Sequence, residues 1–312
     1  MNHNSISSFP HHLSMNNEES SAKSIGIIGA TGLVGESLLS LFTQTGWGVT
    51  AYCRGKSAPL TEGVEWLPLP QQSYPAKPHS SQNEKIIKNW VCTAPIWVLP
   101  EYFALLESYG IRRLVALSST SRFTKIDSSD SEEQALSRRL AVAESSVQEW
   151  AETRGVEWVI LRPTLIYGFG RDKNIAEIAR FIRRFGFFPL LGKAQGLRQP
   201  IHVQDVANAC LAAMESSAAT NRAYNISGRE TLSYREMIMR VFTCMNRFPL
   251  LLPVPLFAFR IACALLRLLP RYKNWSAAMA ERMNKDMVFD HSEATRDLEF
   301  KPRVFELFPE DI

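Results

Sequence analysis

The sequence has few cysteines, and their spacing matches neither a metal site nor a disulfide framework. The five cysteines, at positions 53, 92, 210, 244 and 263, are odd in number and far apart. This pattern excludes a disulfide-stabilised scaffold and a set of zinc ligands, so we predict no metal site. It favours reduced thiols in a hydrophobic core, and with them a cytoplasmic protein.

A strong charge excess is also missing. The formal net charge is +4, and the lysines and arginines are scattered along the chain rather than gathered into a stripe. Nucleic-acid binding normally requires such a stripe, so we predict no nucleic-acid partner. A mildly basic chain suits anionic small molecules, and a small-molecule substrate is the expected partner.

No apolar run is long enough to span a membrane. The longest, residues 248–269, is interrupted by three prolines and two arginines. At most about 14 helical residues are left without a break, where about 20 are needed. We interpret the run as an apolar helical segment of a C-terminal lobe. The alternative is an amphipathic element in peripheral contact with a membrane or a protein, which keeps a membrane-associated location open.

What the sequence does contain is a glycine pattern at the start of its first apolar segment. Residues 25–28 are β-branched or small, glycines follow at 29, 32 and 35, and apolar residues then recur at helical spacing to position 42. Strand, tight turn and helix are therefore predicted in that order. Such glycines let the chain turn sharply, approach a pyrophosphate and pack the helix on the strand, with the phosphates at the helix N-terminus. The predicted dinucleotide site comprises Gly29, Ala30, Thr31, Gly32, Leu33, Val34 and Gly35.

A tight turn that binds nothing is the alternative, but a second strand at the expected distance favours a dinucleotide. This strand, residues 48–53, also bears on the choice of cofactor, because an acidic residue at its end would bind a ribose 2′-hydroxyl. The chain has Arg54 there, with Lys56 two residues on. Cations at this place suit a 2′-phosphate, so we predict NADP rather than NAD, unless both are ordinary surface charges.

Several strings then follow in the order of a known superfamily. Three segments are the Gly-x-x-Gly-x-x-Gly spacing, the Leu-Arg-Pro-Thr-Leu-Ile-Tyr-Gly-Phe-Gly string at 161–170, and the Arg198 to Ala207 string with its His-Val-Gln-Asp core. Together they resemble the extended and atypical short-chain dehydrogenase/reductase superfamily. Its NAD(P)-dependent epimerase/dehydratase group, which includes nucleoside-diphosphate-sugar epimerases, is the nearest match. The resemblance implies an α/β, Rossmann-like, doubly wound parallel sheet with a smaller C-terminal substrate lobe.

The resemblance also implies how the chain is divided. We expect a disordered N-terminal tail at 1–23, which is rich in Asn, Ser and His and has no apolar core, rather than a signal peptide. An NAD(P)-binding Rossmann domain is expected at 24–170. The mixed C-terminal region at 171–312 is expected to form the substrate lobe and to carry the apolar segment near 248–269.

Residues at the ends of the later strands are assigned by the same resemblance. Thr120, the third residue of a Ser-Ser-Thr run, is the candidate for a hydroxyl that touches the substrate's reacting oxygen, although hydroxyls at strand ends are also common caps. Arg198 is the substrate candidate because the superfamily's arginine at this place binds the diphosphate of a nucleotide sugar. Asn174 follows the Tyr-Gly-x-Gly turn, within reach of a substrate or simply on the surface. The further cofactor contacts are Thr93, Ala94, Pro95, Ser118, Pro163 and Thr164.

One signature of the superfamily is absent. Its catalytic Tyr-x-x-x-Lys lies on a helix and is followed four residues later by Glu, which here matches Glu144. The tyrosine and lysine positions are then Leu136 and Leu140, and no tyrosine occurs between Tyr109 and Tyr167. That pair normally exchanges a proton through a phenol whose pKa a neighbouring ammonium lowers, and leucine can do neither.

Two functions follow from these features. The first is an oxidoreductase or epimerase that acts on a nucleotide sugar or a similar anionic small molecule. The second is a non-catalytic NADPH-binding redox sensor or assembly protein, like the atypical member of the superfamily in respiratory complex I. The Arg198 string and Thr120 favour the first function, and the missing Tyr-x-x-x-Lys pair favours the second.

Overall fold

A computed structural model describes residues 23–55, 61–70, 86–255 and 281–312. The predicted tail, apart from its last residue, lies outside these ranges. So does the predicted apolar helix from residue 256 onward, and Lys56.

The centre of the molecule is a seven-stranded, entirely parallel sheet in the order β11-β6-β5-β4-β1-β2-β3. The order reverses between β1 and β4, so the sheet is doubly wound, as predicted. Ligands of such sheets bind at the carboxyl ends of the strands near this reversal. The strands are β1 (Ser24–Ile28), β2 (Gly48–Cys53), β3 (Val64–Pro68), β4 (Asn89–Cys92), β5 (Arg113–Leu117), β6 (Glu157–Pro163) and β11 (Arg222–Ile226).

Helices cover both faces of the sheet, which explains why the central residues of its inner strands are apolar. All five residues of β5 are buried. On one face the core includes residues of α1, α6 and α8, and on the other it includes residues of α2 and α4. These helices are α1 (Leu33–Gln44), α2 (Phe103–Ser108), α4 (Ser131–Arg154), α6 (Val203–Glu215) and α8 (Ser292–Leu298), with the short α3 (Ser121–Thr124) before α4.

Local residues determine where two helices begin and end. A 3₁₀ helix at Ile96–Tyr102 precedes α2, and it contains Pro100, which has no N–H for an α-helical bond. The N-cap of α4 is Asp130, whose carboxylate accepts from the Glu132 N–H at 2.9 Å. Gly155, with a φ of +65°, ends α4.

A smaller lobe follows the sheet in sequence and has its own core. It contains α5 (Ile175–Phe185), α7 (Tyr234–Cys244), and the parallel pair of β8 (Phe188–Leu191) with β13 (Leu251–Val254). The first part of the apolar segment 248–269 is therefore a strand, whose backbone bonds to β8. Two-stranded pairs complete the lobe: β7 (Ile166–Tyr167) with β10 (Ile201–His202), and β9 (Leu197–Arg198) with β12 (Leu232–Ser233).

Across the ranges that the structure covers, no helix combines the length and the apolarity that a membrane crossing requires.

Candidate active site

The turn between β1 and α1 has the geometry that its glycines predict. Gly29 has a φ of +89°, and a Cβ placed on it would lie 2.4 Å from the backbone nitrogen of Ala94. A Cβ on Gly35 would lie 2.3 Å from the Gly29 carbonyl oxygen. Both distances are far below van der Waals contact, so any side chain at either position would force the backbone apart. These two glycines hold α1 close to the sheet.

Gly32 has a different environment. It precedes α1 with a φ of −81°, and a Cβ on it would meet only the Gly29 carbonyl oxygen, at 3.2 Å. Its backbone therefore faces open space, and no side chain caps the N-terminus of α1. Free N–H groups at the start of a 12-residue helix, beside a glycine with room in front of it, form a cradle that fits a pyrophosphate. The residues present thus fit the phosphates of a dinucleotide.

The other predicted residues of this turn differ in the exposure of their side chains. Thr31 is exposed and Leu33 is half-buried, so both offer surface to a ligand. Ala30 and Val34 point into the hydrophobic core. They can contact a cofactor only through their backbone atoms.

Because Gly32 and Gly35 differ in this way, substitutions at the two positions are expected to separate binding from stability. Gly32→Ala is expected to weaken NADPH binding about tenfold or more with little change in the melting temperature, since its methyl group enters the cradle. Gly35→Ala is expected to cost about 1 to 3 kcal/mol of unfolding free energy, since its methyl group meets backbone. Fluorescence titration and thermal denaturation measure the two effects. A Gly32→Ala protein that binds NADPH like the wild type would contradict the assignment.

The residues that follow β4 hold the turn in place through hydrogen bonds. The Thr93 N–H donates to the Ile28 carbonyl at 2.9 Å, and its hydroxyl donates to the Gly29 carbonyl at 2.9 Å. Ala94 fills the space beside Gly29, and Pro95 precedes the 3₁₀ helix. The predicted Thr93-Ala94-Pro95 segment therefore lies directly beside the dinucleotide turn.

Arg54 lies just past the end of β2 and is exposed. Burial raises the pKa of the Tyr102 hydroxyl, and the positive charge of Arg54 opposes that rise, so the two side chains lie within electrostatic range. Arg54 therefore lies near the 3₁₀ helix, at the carboxyl end of β2.

Ser118, at the end of β5, belongs to a buried ionic network. Its hydroxyl donates to the Glu144 carboxylate at 2.5 Å, and Glu144 is completely buried. The Arg162 guanidinium donates twice to this carboxylate, at 3.0 and 2.6 Å, and Arg122 donates to it as well. The Ser118 hydroxyl is therefore engaged by Glu144, and the network ties α4 to the carboxyl ends of β5 and β6.

Beyond these strand ends lies a cavity of about 790 Å³. Thr120, Thr164, Asn174 and Arg198, four of the predicted site residues, line it together. The structure therefore brings the substrate candidates to the same edge of the sheet as the dinucleotide turn. The α5 helix supplies one wall through Glu177, Ile178, Arg180, Phe181, Arg184 and Phe185.

The two threonines are fixed by backbone carbonyls. The Thr120 hydroxyl donates to the Pro163 carbonyl at 3.1 Å, and the Thr164 hydroxyl donates to the Gln199 carbonyl at 2.5 Å. Each oxygen still has lone pairs with which to accept a bond from a ligand. Asn174 precedes α5, and its amide donates to the Ile166 carbonyl at 3.3 Å.

Arg198 is more constrained than the sequence suggested. It is buried, and it donates to the carbonyls of Leu197 at 2.7 Å and Lys285 at 2.8 Å, and also to that of Arg282. Burial lowers the pKa of its guanidinium. Three of its five N–H groups are therefore committed to the protein, which leaves two for a substrate.

Cations dominate the charged groups of the cavity wall, and Lys125 is the one closest in sequence to Thr120. Burial, with the charge of Arg282, lowers the pKa of the Lys125 amino group, and the Glu133 carboxylate lies 3.6 Å from it. An amine with a lowered pKa can exchange protons closer to neutral pH. Among the described residues, the cavity wall carries one carboxylate, Glu177, and the cations Lys125, Lys173, Arg180, Arg184, Arg198 and Arg282.

The positions of the missing pair are apolar in the structure as well. Leu140 is 3% exposed within the core between α4 and the sheet, and Leu136 packs against the same core. Neither position offers a group that could donate or accept a proton. The described tyrosine on the cavity wall is Tyr234, where burial raises the pKa to about 12.

Two acidic residues and a histidine organise the start of α6. The N-cap of α6 is His202, whose Nδ1 accepts from the Gln204 N–H at 3.2 Å. Asp205 accepts from the backbone and guanidinium of Arg303 at 3.0 Å. The buried His202 also has its Nε2 3.4 Å from the Asp311 carboxylate, which suits a structural role.

Comparisons with known proteins agree with this geometry. The model of the NAD dependent epimerase/dehydratase family matches residues 99–227. The crystal structure of UDP-glucose 4-epimerase with UDP-glucose from Thermotoga maritima aligns over 90% of this chain and 94% of its own, with a TM-score of 0.65 and 16% identity. That of dTDP-glucose 4,6-dehydratase with NAD from Bacillus anthracis aligns over 93% and 94%, with a TM-score of 0.65 and 15% identity. The chain has the fold of the extended short-chain dehydrogenase/reductase superfamily.

Two curated sequence relatives are distant and match only in part. The UDP-glucose 4-epimerase of Vibrio cholerae is 24% identical over 119 residues, which is 38% of this chain and 36% of the relative. NADH dehydrogenase [ubiquinone] 1 alpha subcomplex subunit 9, mitochondrial, of Arabidopsis thaliana is 26% identical over 118 residues, or 38% and 29%. The chain thus spans about a third of the length of these curated relatives.

Proposed function

We propose that the protein binds NADP(H) and acts as an oxidoreductase or epimerase on a nucleotide sugar or a similar anionic small molecule. The observation that carries this proposal is the cavity, which lies at the same sheet edge as the dinucleotide turn and has six cations and one carboxylate among the described residues of its wall. A cavity of this charge favours a substrate with phosphate or carboxylate groups. The similarity to the Vibrio cholerae UDP-glucose 4-epimerase supports the same substrate class.

The cofactor would be held by three parts of the chain. The Gly29 to Gly35 turn would bind the pyrophosphate through its N–H groups, Arg54 would pair with the 2′-phosphate, and Thr93 to Pro95 would pass beside the dinucleotide. Pro163 and Thr164, at the end of β6, would border the nicotinamide end. When bound, the nicotinamide supplies two-electron oxidation or reduction at a carbon of the substrate.

Proton exchange must come from groups other than the usual pair. The Thr120 hydroxyl can accept a bond from a substrate hydroxyl while it donates to Pro163, which orients the reacting oxygen. The Lys125 amino group lines the same cavity wall, and burial lowers its pKa, which suits this amine to take or return a proton.

A specific observation favours a second function, cofactor binding without turnover. Leucines occupy both acid–base positions and pack into the core, as expected for a protein that binds the cofactor but does not catalyse a reaction. The similarity to the mitochondrial NADH dehydrogenase subunit of Arabidopsis thaliana supports this alternative, a redox sensor or assembly protein.

A cofactor titration tests the first half of the proposal. NADPH is expected to bind more tightly than NADH, and Arg54→Ala is expected to remove most of the difference. A charge-assisted contact of this kind is worth about 1.5 to 3 kcal/mol, which is about tenfold or more in affinity. Arg138→Ala, which removes an exposed arginine from α4, is the matched control and should leave the preference intact. Equal affinities of the wild type for both cofactors would contradict the NADP assignment.

A further inference from the structure

An exposed patch of apolar and basic side chains borders the outer end of the cavity. Strand β13 runs parallel to β8, with Leu251 opposite Phe188, and the Phe188 N–H donates to the Leu250 carbonyl at 2.9 Å. The Arg247 guanidinium donates to the Ile182 carbonyl of α5 at 3.2 Å. These bonds place residues 247–252 alongside the C-terminal end of α5. We call this surface the α5–β13 patch, made of Arg183, Arg184, Phe185, Phe187, Arg247, Phe248, Leu250 and Leu252.

The apolar members of the patch are unusually exposed. Phe248 is 85% exposed, Leu250 48% and Phe185 44%. Exposed apolar side chains are ordinary when they occur singly, whereas a contiguous group marks a surface that meets something else. The rings of Phe181, Phe185 and Phe187 also contact one another, with centroids 4.6 to 6.2 Å apart. The cluster therefore runs from the cavity wall to the protein surface.

The charges of the patch have one sign. Residues 181–191 and 246–254 include three arginines and no aspartate or glutamate. Arg183, Arg184 and Arg247 are all exposed, and none forms a salt bridge with a described residue. A surface that combines exposed phenylalanine and leucine with arginines that form no salt bridge to a described carboxylate complements a layer that is apolar inside and anionic outside.

We propose that the α5–β13 patch docks the protein on an anionic lipid bilayer, with Phe248 and Leu250 entering the headgroup region and the three arginines contacting lipid phosphates. Charge complementarity selects this partner over a neutral apolar surface. Since Arg184 and Phe185 belong to both the cavity wall and the patch, docking brings this part of the cavity wall to the bilayer. The docking does not depend on the proposed function, because it is measured without cofactor or substrate.

Co-sedimentation of the full chain with vesicles tests the docking. The protein is expected to sediment with mixed phosphatidylcholine–phosphatidylglycerol vesicles at low salt, and much less with phosphatidylcholine alone or at high salt. Phe248→Ser/Leu250→Ser is expected to reduce the partition coefficient about tenfold or more. Arg183→Gln/Arg184→Gln is expected to reduce it about tenfold on the anionic vesicles only.

Matched controls remove the same groups elsewhere. Val142→Ser/Phe308→Ser replaces two exposed apolar residues, and Arg138→Gln/Arg235→Gln replaces two exposed arginines outside the patch. Neither control should change the partition coefficient, and all variants should keep the wild-type melting temperature.

Three results would overturn the proposal. One is failure of the wild type to sediment with anionic vesicles at low salt. Another is sedimentation that the patch variants leave intact and that Leu265→Glu/Leu269→Glu removes. The third is a wild-type dimer or protein complex in solution that Phe248→Ser/Leu250→Ser dissociates, without vesicle binding, because the patch would then be a protein contact.

Discussion

Normal NADPH binding with very slow turnover is the result expected for the wild-type protein on common nucleotide sugars. General acid–base catalysis typically contributes about 10² to 10⁴ in rate, and the positions that would supply it are Leu136 and Leu140. The dinucleotide turn does not depend on those positions, so NADPH should still quench protein fluorescence and raise the melting temperature. Turnover of UDP-glucose should be about 10² to 10⁴ times slower than that of the Thermotoga maritima UDP-glucose 4-epimerase assayed beside it.

The variants decide between the two functions. If the residual turnover is enzymatic, Thr120→Ala and Lys125→Met should each remove most of it while NADPH binding stays unchanged. Leu136→Tyr should raise turnover, and it is preferable to a change at Leu140, since a lysine there would be buried in an apolar core. Brisk wild-type turnover that Thr120→Ala abolishes would rule out the non-catalytic alternative. Complete absence of turnover in all variants, with tight NADPH binding, would support it.

Loss of the Glu144 carboxylate is expected to cause the largest loss of stability among single substitutions of charged residues in the described sheet and helices. Glu144→Ala leaves the guanidinium of Arg162, whose side chain is 14% exposed, without its partner, and it also removes the acceptor of Arg122 and Ser118. Removal of one partner from a buried ion pair costs about 3 to 5 kcal/mol. Urea denaturation followed by circular dichroism measures the change in unfolding free energy.

The control for this prediction is an exposed pair. Glu215 accepts from Lys23 at 3.0 Å, and both side chains are largely exposed, so Glu215→Ala should cost less than about 1 kcal/mol. Glu144→Gln, which keeps the side-chain volume and one acceptor oxygen, should fall between the two. Equal stability of the Glu144→Ala and Glu215→Ala proteins would show that the buried network contributes little.

The sequence alone predicted the parts of this protein that depend on neighbouring residues. The strand, turn and helix predicted at 25–42 followed from glycines and apolar spacing within one short segment, and the structure has the strand at Ser24–Ile28 and the helix at Leu33–Gln44. The parallel sheet was implied by the superfamily resemblance of the sequence motifs, and the fully buried β5 is what a strand covered on both faces requires. The leucines at 136 and 140 were likewise evident from the sequence.

Long-range contacts decided what the sequence could not. The guanidinium of Arg198 is engaged by carbonyls more than 80 residues away, and Asp205 is paired with Arg303 rather than with its own helix. No pattern in the neighbouring sequence indicates such distant hydrogen-bond partners. A residue of the right type therefore gives a candidate for a substrate ligand or a cap, and only the packing of distant segments decides how many of its hydrogen bonds are already used.

The substrate cavity and the α5–β13 patch also depended on tertiary structure. Lys125, α5 and Arg282 are distant in sequence, and the cavity exists because the lobe folds back over the carboxyl ends of β5 and β6. The start of the apolar segment at 248 was predicted as helix and forms a strand from Leu251, because β8 offered backbone partners that the sequence does not reveal. Sequence determined the cofactor turn and the missing acid–base pair, since both are local. Tertiary structure decided which charges share the cavity and which apolar side chains stay exposed, since burial depends on the whole chain.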